Sequence, residues 1–252
     1  MADNPYRPPT ADIGALPADA ARIEVGETLR LSARSYAKAL PLVLLFGAIT
    51  GALNAVPGVL MPASGDPKAD LLTSAVQIGA GLTVGMIIGP FTASAYAWAA
   101  QQTARGEAAP LGAALRHAAS RYGRVFVVNL AYTFAVTLGT MACFIPGVAL
   151  SVLMGPMLMS AALAPDGTSD WNAGWAVGKA HFWPLLIAMV LSWLPTMLLS
   201  GVIGGAAGAF AVTGQTLPGW VSVVGGVGAG LVAPAVTTTL ASAWLLAARR
   251  TA

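Results

Sequence analysis

Six long apolar stretches with no charge in their interiors constrain this chain more than any other feature. They run at Ala39–Met61, Leu71–Ala99, Val125–Ile145, Val148–Leu163, Leu185–Phe210 and Trp220–Ala248. A helix crosses the ~30 Å hydrocarbon core of a bilayer with about 20 residues. The fourth stretch is therefore short for a span, and the second and sixth have length to tilt. Only 9% of the 252 residues are charged and 56% are apolar, against about 25% charged in ordinary soluble domains. A mean hydropathy of +0.72 agrees. The expected fold class is all-α: a polytopic membrane protein with six transmembrane helices arranged as three hairpins. The same numbers exclude a soluble enzyme, a nucleic-acid module and a disulfide scaffold.

The basic residues give the orientation. Arg7, Arg22, Arg30, Arg34, Lys38, Arg105, Arg116, Arg121, Arg124, Lys179, Arg249 and Arg250 all fall on one side of a six-span topology, and Lys68 alone falls on the other. Lysine and arginine accumulate on cytoplasmic loops. The reading is a bacterial inner-membrane protein with both termini cytoplasmic. Met1 to Arg22 is polar and proline-rich, so it is expected to be a flexible cytoplasmic tail (residues 1–22) rather than a cleaved signal peptide. Residues 23–252 then form a single six-span domain.

That domain contains an internal repeat, with units at about 23–100, 108–165 and 169–248. Each odd-numbered span follows a short segment with helical amphipathic spacing. In the first, Leu29, Ala33, Tyr36 and Leu40 share a face, with Glu27, Arg30, Arg34 and Lys38 on another. In the second, Leu111, Leu115, Ala118 and Tyr122 oppose Arg116, Ser120 and Arg124. In the third, Trp171, Trp175, Gly178 and Phe182 oppose Asn172 and Lys179. These predict three cytoplasmic interfacial helices. The even spans repeat Gly89-Pro90, Gly155-Pro156 and Ala233-Pro234, each followed four residues later by a hydroxyl at Ser94, Ser160 or Thr238. This proline layer has two readings. The hydroxyls support backbone freed at ordinary kinks, or the kinks line a shared cavity, as in transporters with discontinuous helices.

The amphipathic segment, the Ile145-Pro146-Gly147-Val148 turn, Pro156 and the Trp175…Lys179-Ala180-His181-Phe182-Trp183 entry to span five resemble one bacterial group. It is the membrane domain attached to some glycerophosphodiester phosphodiesterases, together with its stand-alone six-span relatives. The resemblance covers roughly residues 25–194. Gly174 departs from it, standing where such proteins often have serine. The soluble phosphodiesterase barrel is not in this chain, so the resemblance implies a lipid-adjacent membrane role and no catalytic residue.

The remaining chemistry is sparse. His117 and His181 are the only histidines and lack companion ligands at metal spacing. Cys143, the one cysteine, is expected to be a buried, inert thiol at the end of span three. No Gly-x-Ser-x-Gly elbow occurs. Neither a catalytic residue, a metal nor a cofactor is therefore expected. Glycines at four-residue spacing (Gly81, Gly85 and Gly89; Gly47 and Gly51; Gly204 and Gly208; Gly226 and Gly230) are helix-packing faces, within the chain or between chains.

The function expected is a non-enzymatic scaffold or accessory subunit that binds lipid or another hydrophobic ligand. The alternative is a transporter or channel for a neutral or amphipathic solute. Arg30, Arg34, Lys38, Arg116, Arg121 and Arg124 are the expected lipid-headgroup residues, each basic residue near an anionic leaflet being worth about 1 kcal/mol. The competing role for these six is to fix orientation alone. Tyr36, Tyr122, Trp175 and Trp183 are expected at headgroup depth. The partners are membrane lipids with anionic headgroups, and a protein partner or second copy remains open. Nucleic acid is not a partner.

Overall fold

The computed structural model describes residues 23–60, 67–167, 169–212 and 219–249. The expectation for residues 1–22 lies outside them. The described chain is helical, with no strand among the described residues: α1 (Val25–Lys38), α2 (Leu40–Leu60), α3 (Pro67–Ala104), α4 (Leu111–Ala142), α5 (Phe144–Leu163), α6 (Asp170–Ala180), α7 (Phe182–Val212), α8 (Gly219–Val232) and α9 (Pro234–Arg249). Five segments are long and apolar enough to cross a membrane, and a sixth is added if α1 and α2 count as one bent span. This is the make-up of a multi-pass membrane protein.

Prolines set where the helices break. Four pairs of helices meet across a single residue: Ala39, Cys143, His181 and Ala233. In each case a proline follows within three residues, at Pro41, Pro146, Pro184 and Pro234. Proline lacks the N–H that would bond four residues back, and its ring clashes with that carbonyl. The helix therefore stops upstream, and the proline sits in the first turn of the next one, where no donor is needed. At Ala39 the chain bends by 79°.

The same rule moves two sequence expectations. The turn expected at Ile145-Pro146-Gly147 lies earlier, at the extended residue Cys143, and residues 145–147 open α5. The fourth span is consequently 20 residues long rather than short, about 30 Å. The second amphipathic segment is not a separate helix. No proline falls between residues 111 and 142, and α4 runs unbroken through that segment and span three.

Packing follows the small residues. α2 packs most extensively along α8, far from it in sequence, and more than on its neighbour α3. A Cβ on Gly51 or Gly230 would collide with the backbone of Gly226 or Gly47, so only glycine permits this approach. α5 is the most enclosed span, and α6 lies on it through Gly174 and Gly178, whose added Cβ atoms would strike the backbone of Met157 and Leu153. One apolar core joins Val152, Met159, Val177, Leu185, Met189 and Trp244. A second joins Leu42, Phe46, Tyr96 and Ala118. Leu138, Met141, Phe144, Ile145 and Leu198 are more than 60% exposed. That is a costly surface in water and an ordinary one against lipid.

Candidate ligand cavities and their polar surroundings

The inward face of α1 is made of hydroxyls. Thr28, Ser32 and Ser35 are buried at helical spacing, a row the amphipathic reading passed over. Thr28 and Ser35 donate to the carbonyls of Glu24 and Leu31 four residues back, which satisfies them locally. Ser32 instead meets two residues of α9: its Oγ lies 2.9 Å from Thr238 Oγ1 and 3.0 Å from Thr239 Oγ1. Tyr36 donates its hydroxyl to the carbonyl of Leu231, next to the α8–α9 break. α1 is thus fastened across that break by side chains.

Two cavities flank the break. The outer one, about 510 Å³, lies between α1, α7 and α9. Leu29, Ala33 and Tyr36 of α1 form one wall, opposed by Ser192, Pro195 and Ala235. The apolar face expected for an interfacial helix therefore borders a cavity here. Arg30 and Arg34, one residue on from Leu29 and Ala33, are exposed. The inner cavity, about 370 Å³, is walled by Gly81, Gly85 and Gly89 of α3, by Thr50 of α2 and by Pro234 and Thr237 of α9. Within this chain the α3 glycine row, at Gly85 and Gly89, is not a tight packing face. A Cβ on Gly85 would meet nothing within 4 Å, and one on Gly89 only Asn129, at 3.8 Å.

The six proline-layer residues have separate surroundings. Pro234 borders the inner cavity. Pro90 and Pro156 are buried inside continuous helices. Ser94 is buried, and its hydroxyl has no partner among the described atoms. Ser160 donates to Asp170 Oδ1 at 2.9 Å. Thr238 bonds the Ala235 carbonyl at 3.0 Å as well as Ser32.

The six basic residues also divide. Arg30, Arg34, Lys38 and Arg116 are exposed, and Lys38 Nζ reaches the Glu107 carbonyl at 3.4 Å. Arg121 pairs with Asp166. Arg124 is held bidentately by Asp170, with Nε to Oδ2 at 2.7 Å and Nη2 to Oδ1 at 2.6 Å. Its Nη1 also donates to the carbonyls of Ala164 and Pro165. These contacts clamp α4 onto the α5–α6 connection. Ser169 caps α6 by accepting from the Asn172 N–H, and Gly167, at φ +90°, supplies the left-handed turn that brings Asp166 and Asp170 round. The sequence offered a signal for this clamp: Asp166 and Asp170 are the acidic residues of the connection after span four, two helix ends from Arg121 and Arg124.

The aromatic residues expected at headgroup depth vary. Tyr122 donates to the Ile87 carbonyl at 3.1 Å, Trp175 is half-buried and Trp183 is 69% exposed. His117 Nε2 lies 3.0 Å from the Ala162 carbonyl, and His181 is buried at the α6–α7 break. No group of three His, Cys, Asp or Glu side chains that could hold a metal occurs among the described residues. Cys143 is exposed, contrary to the burial expected. It is the single residue between α4 and α5, placed there by Pro146. No family model, curated protein or solved structure matches this chain.

Proposed function

We propose that this chain is a non-enzymatic protein of the bacterial inner membrane, with both termini cytoplasmic, that binds an anionic lipid at α1. The observation that carries this reading is the outer cavity, one wall of which is the apolar face of a helix whose adjoining face bears exposed Arg30 and Arg34. An acyl chain would enter beside Leu29, Ala33 and Tyr36, and its phosphate would meet guanidinium groups about 100° further round the same helix. Lys38 and Arg116 extend the basic surface. Arg121 and Arg124 contribute fold rather than headgroup contact, because protein carboxylates already neutralise them. The resemblance to membrane domains of glycerophosphodiester phosphodiesterases supports a lipid-adjacent role, and the twelve-to-one distribution of basic residues supports the orientation. The glycine faces leave room for a protein partner or a second copy.

The test is native mass spectrometry from mild detergent. Replacing Arg30, Arg34, Lys38 and Arg116 together by glutamine is expected to strip co-purifying anionic lipid while leaving the thermal unfolding midpoint in place. Unchanged anionic lipid would defeat the reading and leave these residues an orienting role alone.

A further inference from the structure

The inner cavity supports an inference independent of the lipid site. Its volume, about 370 Å³, falls within the ~300–1,000 Å³ range of small-molecule sites. Among the described residues its wall includes no Asp, Glu, Lys, Arg or His, so an ion entering it would find no counter-charge there in a membrane interior, where that is prohibitive. The wall is nonetheless not wholly apolar. Thr50 and Thr92 donate to the carbonyls of Phe46 and Gly89 in their own helices, which leaves their lone pairs as acceptors. Pro234 and Thr237 of α9 complete the wall. Thr196 borders it too, and its hydroxyl is buried without a partner among the described atoms. Acceptors and the unspent Thr196 donor therefore border an otherwise apolar space. The glycine row of α3 leaves room along that wall, since a Cβ at Gly85 would meet nothing within 4 Å.

We propose that this inner cavity is a binding site for a small uncharged amphiphile bearing hydroxyl groups, with Thr196 donating to a ligand oxygen and the Thr50 and Thr92 oxygens accepting from it. A hydroxyl both donates and accepts, and so matches the mixed set. A carboxylate would lack a cation, and an ammonium would lack an anion.

The experiment uses the full chain in zwitterionic nanodiscs and a diazirine-bearing analogue of 1,2-octanediol, followed by peptide mapping. Crosslinks are expected in the segments around residues 81–92 and 226–237. They should be competed by excess 1,2-octanediol and not by octanoate, which has the same chain with a charge. Thr196→Val keeps the side-chain volume and removes the donor, and should raise the half-competing diol concentration about tenfold. Gly85→Leu fills the cavity and should abolish the crosslinks. Replacing Arg30 and Arg34 by glutamine should leave them unchanged, which separates this site from the lipid site. Crosslinks confined to the lipid-facing surface, equal competition by octanoate, or a Thr196→Val response like that of the native chain would each overturn the proposal. Should Gly85→Leu fail to fold, the isosteric Thr196→Val decides.

Discussion

Removing the Asp170 carboxylate should destabilise this protein more than any other single loss of charge in the described residues. Asp170 is 12% exposed at the side chain and Arg124 is 21% exposed. Asp170→Ala deletes two charge-assisted bonds from Arg124, at 2.6 and 2.7 Å, and the acceptor of Ser160. At the lower end of about 1.5 kcal/mol per charged hydrogen bond, with about 1 kcal/mol for an orphaned hydroxyl, the loss is ~4 kcal/mol. Residual solvation of the guanidinium and its bonds to the Ala164 and Pro165 carbonyls bring this to about 3 kcal/mol, a more than hundredfold shift in the folding equilibrium. Asp166 is the internal contrast. Its side chain is 88% exposed, so Asp166→Ala should cost under about 1 kcal/mol. Steric-trap unfolding in bicelles reads both values, and the double variant Arg124→Gln/Asp170→Ala should cost much less than the sum of the singles. Similar costs for Asp166→Ala and Asp170→Ala, or strict additivity in the double variant, would refute the argument that this clamp works as a buried pair.

Other outcomes follow from the same contacts. Gly230→Ala drives a methyl into the Gly47 backbone and should cost about 2–3 kcal/mol in the same assay, whereas Gly85→Ala should be near neutral. Ser32→Ala should cost about 1 kcal/mol through its lost contacts to Thr238 and Thr239, with Tyr36→Phe similar because the Leu231 carbonyl loses its donor. For topology, single cysteines at Lys68 and Arg116 in a Cys143→Ser background should react with an impermeant maleimide from opposite sides of a sealed membrane. Labelling of both from one side would sink the orientation.

Much of the fold was legible because a bilayer demands long apolar runs, and those runs are visible in a single chain. The breaks at Ala39 and His181 fall where an amphipathic segment gives way to an apolar run, and Pro41 and Pro184 mark them as Pro146 and Pro234 mark the others. α4 was misdivided because amphipathic spacing reports which face of a helix meets which solvent, and carries no information about where a helix ends. The site was harder to read. Whether Gly85 packs against a neighbour or opens a cavity depends on what stands opposite, as does whether Arg124 meets a lipid phosphate or Asp170. In the Thr28, Ser32 and Ser35 row, Thr28 and Ser35 bond their own helix and so read like small apolar residues in a membrane chain, while the partners of Ser32 lie on α9, beyond any local spacing.

The pairing of α2 with α8 sets a schedule for biogenesis. Gly51 and Gly226 are 175 positions apart, and translation proceeds at about 5–20 residues per second. The first span therefore waits roughly 9–35 s in the membrane before the helix that covers its glycine face has been made. During that interval its exposed backbone groove is open to lipid, to the insertion machinery or to another nascent chain. A ribosome stalled before α8 would release a product whose first span has no mate, and quality-control proteases could recognise it by that uncovered groove.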